Sequence, residues 1–281
     1  MRPVVWEAPA KLNLSLELRP PDSNGYHPLR SLCQTIERLD LLTVGIGEDE
    51  RLEVAGAEVA ADEDNLVWRA VRALVGRPDR PRLDMHLEKA IPHAAGLGGG
   101  SSDAAAVLRA AADVYGRSDA DVEVAARSVG ADVPFFLLGG TRWMEGYGEV
   151  LREVEPLEGF CVTVAVPPMQ VSTPMAYRRW DELEGPVGPE MADRALPPPL
   201  RQYGPLRNDL TPAALSLEPG LGDWAAELAA GWGRPVAMTG SGSAHFAFFL
   251  DFDEAAAAAD AVGSARSAFA AGLRVRGVVA R

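Results

Sequence analysis

The stretch Ile91-Pro92-His93-Ala94-Ala95-Gly96-Leu97-Gly98-Gly99-Gly100-Ser101-Ser102-Asp103-Ala104-Ala105 decides how this chain is read. Four glycines within positions 96 to 100 free the backbone to wrap an anion. The serines behind them begin an alanine-rich helix whose first amides lack partners. Those amides, the helix dipole and the serine hydroxyls together make a phosphate cradle. The loop is not a Walker A sequence, because no Gly-Lys-Ser or Gly-Lys-Thr closes it. It is not a dinucleotide fingerprint either, since Ser101 stands where the third glycine counted from Gly96 would fall. The plainer alternative is a flexible surface turn before a capped helix.

Composition sets the limits around this loop. A chain of 281 residues is long enough for one large domain or two ordinary ones. Its hydrophobic share of 47% and charged share of 24% match a soluble globular protein. No run of about 18 uninterrupted apolar residues indicates a membrane span. At the start, Trp6, Glu7 and Pro9 interrupt any basic-then-apolar leader. Two cysteines, Cys33 and Cys161, can form neither a disulfide framework nor a zinc site, so a cytoplasmic location is expected. The net charge of -13 argues against a nucleic-acid surface, which needs a basic stripe. An acidic chain that handles an anion must use backbone amides and a few placed cations.

Of the 27 basic Lys and Arg residues only Lys11 and Lys89 are lysines. An ammonium is compact and flexible where a guanidinium is planar, so a lysine kept in an arginine-rich chain points to chemistry. Lys11 lies in Pro9-Ala10-Lys11-Leu12-Asn13-Leu14, and Lys89 lies just before the glycine loop. A second motif is Gly130-Ala131-Asp132-Val133-Pro134-Phe135-Phe136. A carboxylate wedged there between small and apolar residues is partly desolvated unless a cation pairs with it. Lys11 is the attractive partner, and an ammonium beside Asp132 would keep it ionised and hold it in place. A helix-terminal aspartate forming a turn is the alternative. The third motif, Met238-Thr239-Gly240-Ser241-Gly242-Ser243-Ala244-His245, either approaches a ligand closely or makes a tight hairpin.

Hydrophobic periodicity places these motifs in an α+β chain. Residues 4–18 alternate like a strand, and strands are expected over 29–37, 41–45 and 83–87. A helix capped by Asp64 carries Leu66, Val67, Ala70, Val71 and Leu74. Helices follow over 104–115 and 119–129, the latter ended by Gly130 as a C-cap, then strands over 141–144 and 160–166. The boundary between the two halves falls near Pro156 and Gly159. Beyond it the pattern gives helices over 173–183, 211–217 and 221–230, strands over 236–239 and 244–250, a helix over 253–269 and a strand over 273–279. The proline-rich segment 185–205 reads as a partly mobile surface excursion. No internal repeat is visible.

The three motifs, in this order and spacing, resemble the GHMP kinase superfamily. The pieces Gly25-Tyr26-His27, Glu63-Asp64-Asn65-Leu66 and Asn208-Asp209-Leu210, with the triple glycine, resemble its branch acting on 4-diphosphocytidyl-2-C-methyl-D-erythritol. The likeness runs from Pro9 to about Phe252. It implies a two-domain GHMP kinase fold, with an N-terminal α/β ATP domain over 1–156 and a C-terminal ferredoxin-like α+β domain over 157–281. It also implies transfer of the γ-phosphoryl group of ATP to the 2-hydroxyl of that substrate, with Mg2+ whose ligands no aspartate pair declares. Neither a nucleic acid nor a membrane is an expected partner.

Carried over residue by residue, the resemblance makes Lys11 and Asp132 the catalytic pair. It sets Asn13, Tyr26, His27, Thr173 and Tyr177 at the substrate, with Tyr26 and Tyr177 offering flat faces to the cytosine. Asn65, Leu66 and Lys89 fall at the adenine. Pro92, Ala95, Gly96, Leu97, Gly98, Gly99, Gly100, Ser101, Ser102, Gly240 and Ser241 complete the nucleotide site, with Ser102 a contact considered for the metal. A sibling kinase acting on mevalonate, homoserine or a sugar, and a silent nucleotide-binding protein, are the competing readings. Tyr26-His27 argues against the first, and retention of both Lys11 and Asp132 against the second.

Overall fold

The computed structural model describes residues 2–57, 59–76 and 81–281. Its first half runs β1 (Val4–Asn13), β2 (Glu17–Leu18), β3 (Leu29–Gly47), β4 (Arg51–Ala55), α1 (Leu66–Val75) and β5 (Arg82–Glu88). Helices α2 (Gly99–Tyr115), α3 (Asp119–Val129) and α4 (Val133–Leu138) follow, then β6 (Thr141–Gly146) and β7 (Val150–Glu153). The second half contains β8 (Cys161–Val166), α5 (Thr173–Glu182), β9 (Glu190–Met191), β10 (Leu206–Arg207), α6 (Thr211–Leu217) and α7 (Gly220–Trp232). It closes with β11 (Ala237–Met238), β12 (His245–Phe249), α8 (Phe252–Asp260), β13 (Ser267–Arg274) and β14 (Val279–Ala280).

The two strands expected over 29–37 and 41–45 are one 19-residue strand, β3, which organises the whole sheet. It pairs antiparallel with β1, β5, β6 and β13 at successive points along its length. The main path through the sheet is β11-β12-β8-β13-β3-β1-β14. The division expected at 156/157 falls between β7 and β8, and the sheet continues across it through β13. Helices α1 to α4 cover the first half, around a core that includes Trp6, Ala8, Met85, Leu108 and Phe135. A second core joins Ala10, Leu12 and Leu97 to Val164, Phe246 and Phe269.

Strand β1 changes sides partway along. Pro9 pairs with Leu39 but Ala10 pairs with Ile36, an irregularity that takes two residues of β3 out of register. Before it, Trp6 and Ala8 face the helical core; after it, Ala10 and Leu12 face the second core. Such a bulge re-aims the side chains beyond it, and Lys11 and Asn13 are thereby turned toward the start of α2.

Several expectations are corrected. The cap of α1 is Asn65, whose side chain accepts from the Val67 amide, rather than Asp64. Gly130 does cap α3 as expected, its amide donating to Ala126 O, with an extended backbone at φ -179. The 253–269 helix stops at Asp260, because Gly263 and Ser264 interrupt the alanines and Phe269 is needed in β13 between β8 and β3. The strand expected over 273–279 is thus the end of β13 plus β14. The 185–205 segment is packed rather than loose. Its β9 pairs with β10, two 3-10 turns cover Asp193–Ala195 and Pro198–Tyr203, and Leu196 and Leu200 are buried in the second core. Prolines restrict the unfolded chain there while spaced apolar residues supply the anchor.

Leu200, which has no exposed surface, tests that anchoring. Leu200→Ala is expected to cost about 2–5 kcal/mol in urea unfolding, the range for emptying a packed core site. A surface loop would give a change near zero.

Candidate active site

The glycine loop enters α2 without a conventional cap. Gly98, the N-cap residue, is left-handed at φ 73 and supplies no side chain to the first amides of the helix. Those amides are therefore available to an anion, backed by the dipole of a 17-residue helix. A Cβ at Gly98 would lie 2.7 Å from the Phe136 ring and 3.1 Å from Lys11 Cγ. One at Gly96, also left-handed, would lie 2.5 Å from the Thr239 carbonyl oxygen. The loop is thus wedged between β1, α4 and the third motif, with no room for a side chain at either point.

Main-chain and side-chain hydrogen bonds lock these parts together. The Lys11 amide donates to Leu97 O at 3.0 Å, and the Ala244 amide to Ala95 O at 3.2 Å. The Asn13 amide donates to Thr239 Oγ1 at 2.8 Å, and Thr173 Oγ1 meets Ser241 Oγ at 2.7 Å. Asn208 holds the third motif from behind, donating to Met238 O at 2.9 Å and Gly240 O at 2.8 Å.

Lys11 Nζ lies 3.6 Å from Asp132 Oδ2 and hydrogen-bonds to Asn13 Oδ1. Asn13 in turn donates to Ser31 Oγ at 2.8 Å, so its amide orientation is fixed. Asp132 is the N-cap residue of α4, yet its side chain makes no capping bond and faces a cavity instead. Cys33 sits nearby, but burial pushes its thiol up to about 11, so it is a neutral packing residue rather than a nucleophile.

Two cavities meet at Gly96, Gly98 and Thr173. One, of about 540 Å3, is lined by Asn65, Leu66, Lys89, Pro92, Ala95 and the loop from Gly96 to Ser101. The other, of about 340 Å3, is lined by Lys11, Asn13, Asp132, Thr173, Tyr177, Gly240 and Ser241. Gly240 and Ser241 therefore lie on the Lys11 side rather than beside the loop's outer face. Ser102 lines neither; its hydroxyl is buried in the first turn of α2 with no hydrogen-bond partner. Tyr26 is well exposed and meets Tyr147 edge-on at 6.0 Å, while the Tyr147 hydroxyl bonds to Asp22. The His27 ring is tucked against α5, 2.7 Å from Asp181 and 5.3 Å from the Tyr177 ring. Desolvation, with a smaller push from Asp132, raises the Tyr177 phenol to about 12.

Lys89 lies at the floor of the larger cavity with its ammonium engaged from below. It bonds to Asp40 and lies 2.6 Å from Asp103 Oδ2, all three side chains being buried. Asp40 Oδ1 also accepts from the Ala90 and Ile91 amides at 2.6 and 2.8 Å, which anchors the approach to the loop. Burial alone would lower the Lys89 pKa, but Asp103 and then Asp40 outweigh it and raise it. With two carboxylates for one ammonium, desolvation pushes Asp103 up to about 7. Asp40 and Asp181 were not singled out from sequence, and Asp103 and Asn208 were quoted only within motifs, with no role assigned. The one available signal was Asp40 itself, a carboxylate inside the apolar run Leu39 to Leu42 that has to find a buried partner.

Comparison with known proteins agrees with this geometry. Residues 65–140 match the family described as GHMP kinases N terminal domain. A 4-diphosphocytidyl-2-C-methyl-D-erythritol kinase of Geobacter sulfurreducens is 34% identical over 98% of this chain and 99% of its own. The chain belongs to the 4-diphosphocytidyl-2-C-methyl-D-erythritol kinase family. A relative of that name from Salinispora tropica is 42% identical, covering 92% of this chain and 85% of its own. A solved structure of a 4-(cytidine 5'-diphospho)-2C-methyl-D-erythritol kinase superposes with a TM-score of 0.77 at 36% identity, covering 96% and 98% of the two chains. As a GHMP kinase, the protein is a two-part α+β enzyme that uses ATP to phosphorylate a hydroxyl. Among its described residues no helix is long and apolar enough to cross a membrane.

The buried triad gives a sharp contrast between two variants. Lys89→Met leaves two carboxylates facing each other and is expected to cost about 3–5 kcal/mol in unfolding experiments, as for a broken buried pair. Asp103→Asn keeps one matched pair and should cost far less. It should also remove the loss of stability that wild type shows as pH rises from 3.8 toward about 7, where the folded state holds a proton the unfolded chain has released.

Proposed function

We propose that this kinase transfers the γ-phosphoryl group of ATP to the 2-hydroxyl of 4-diphosphocytidyl-2-C-methyl-D-erythritol, a step of the non-mevalonate route to isoprenoid precursors. The observation that carries the reading is the Lys11–Asp132 pair at 3.6 Å, placed where the two cavities meet beside the uncapped start of α2. The larger cavity takes the nucleotide, with the adenine near Asn65, Leu66 and Pro92 and the phosphates on the amides of Gly98 to Ser101. The smaller takes the acceptor. Phosphoryl transfer through a loose transition state asks mainly for positioning and charge stabilisation.

Asp132 orients the acceptor hydroxyl and accepts its proton as the oxygen bonds to the γ-phosphorus. The bond from that phosphorus to the β–γ bridging oxygen breaks, and ADP leaves with the electron pair. Lys11, fixed by Asn13, holds Asp132 and balances the charge gathering on the phosphoryl oxygens. Tyr26 and Tyr177 present ring faces to the cytosine, and Thr173 with Ser241 closes the acceptor side. His27 contributes by holding α5, and so Tyr177, in place. A kinase for mevalonate or homoserine has no use for these aromatic faces.

Lys11 and Lys89 are the only lysine or arginine residues, among those described, that line either cavity, and Lys89 is already neutralised. Further positive charge has to arrive with the nucleotide. No group of three or more His, Cys, Asp or Glu among the described residues is arranged to hold a metal ion. Mg2+ in kinase sites keeps several waters and is held largely by phosphate oxygens, and Ser102, buried outside both cavities, is not placed to add a protein ligand. When bound, the ion would offset the phosphate charge.

Asp132→Asn should lower kcat by about 10²–10⁴, the usual worth of a positioned base, while the Kd for ATP stays within twofold of wild type, about the noise of such a measurement. A near-normal kcat removes Asp132 from the mechanism. Tyr26→Ala should raise KM for the cytidyl substrate by about 5- to 100-fold, as expected for a lost stacking contact, and leave KM for ATP unchanged. Steady-state assays with the cytidyl compound, mevalonate and homoserine as acceptors test the substrate directly. Turnover of another alcohol with none of the cytidyl compound overturns the assignment.

A further inference from the structure

Away from the active site, a third cavity of about 450 Å3 opens beside α6, α7 and β11, within the size range of small-molecule sites. It shares no lining residue with the two catalytic cavities. Met191, Leu215, Ala225, Val236 and Met238 make its walls mainly apolar. The two charged residues on it, Glu190 and Arg207, are paired with each other at 3.6 Å, and Arg207 is further engaged by Glu17 and Asp209. No unmatched charge is therefore presented to an ion.

One polar group stands out against these walls. His245, on β12, is only 2% exposed and lines the cavity. Its Nδ1 lies 3.0 Å from the Ser243 carbonyl oxygen, which can only accept, so that nitrogen carries the proton. Nε2 is left as a lone-pair acceptor with no partner among the described residues. Desolvation drives the imidazole pKa down to about 4, so it stays neutral and does not attract anions at ordinary pH. An acceptor that opens into a largely apolar cavity is satisfied only by a donor that enters the cavity.

We propose that this cavity is a binding site for a small uncharged molecule, largely apolar, carrying one hydroxyl that donates to Nε2 of His245. The walls disfavour charged compounds by desolvation, and the Nε2 acceptor favours an alcohol over a hydrocarbon of the same shape. Such a ligand would sit against Met238 and Asn208, the residues that lead into and brace the Thr239–Gly242 turn of the active site.

Methionine-methyl NMR on the intact protein tests this, because Met191 and Met238 line this cavity while Met144 lines the acceptor cavity. Benzyl alcohol should give saturable shifts at Met191 and Met238 and none at Met144. Toluene should bind about fivefold more weakly, the ratio one net hydrogen bond supports, and benzoate should not bind. Ala225→Leu, which fills the cavity from α7, should abolish the shifts. His245→Phe should make benzyl alcohol and toluene equal. The proposal is overturned by an absence of saturable shifts, by shifts at Met144 alone, by equal binding of alcohol and hydrocarbon to wild type, or by unchanged affinity in Ala225→Leu.

Discussion

An uncapped helix start, held open, is the constraint on which the rest of this molecule depends. Bare amides at the head of α2 are a liability in the absence of an anion, and the loop before them is rich in glycine, the most costly residue to order. The structure answers with contacts from every side. Strand β1 bonds to Leu97, the third motif closes over Gly96, Phe136 fills the space under Gly98, and the buried Lys89 triad anchors the chain below. The cradle is rigid because its surroundings leave it no alternative, and that preorganisation is what charge stabilisation in phosphoryl transfer requires.

The same logic explains how an acidic protein can handle two phosphorylated substrates. On the proposed reading, charge is rationed to Lys11 at the point of reaction, and most anion binding falls to backbone dipoles, which leave the net charge of the chain unchanged. Register does the aiming. The irregularity at Pro9 and Ala10 hands Lys11 and Asn13 to the α2 side of the sheet, and α4 brings Asp132 to meet them without spending its carboxylate on a cap.

Much of this was legible in the sequence, and the reasons for the gaps are physical. Glycine runs, helix stripes and the scarcity of lysine are local signals, so the loop, α3, α6 and the Lys11–Asp132 pair could be read directly. Asp40 and Asp103 were harder, because the meaning of a buried carboxylate lies in a partner far along the chain. Helix α4 was missed although Pro134 near its start is a fair signal, since six residues are too few for periodicity to register. The alanine run after Asp253 misled because propensity favours helix, whereas the gap between β8 and β3 demands a strand. His27 was expected at the ligand from the resemblance, and its contact with Asp181 on α5 is a feature that only coordinates supply.

That gap between β8 and β3 also bears on how the protein comes to be made. The strand that fills it, β13, begins at Ser267, so the two halves of the sheet cannot be joined until more than a hundred residues beyond β8 have been synthesised. During translation the long β3 is exposed along part of one edge, and β8 likewise lacks a neighbour. Pairings over such separations form slowly, and unpaired edges invite association with other chains. Production of this enzyme should therefore depend on chaperone supply and growth temperature more than its well-packed final state would suggest.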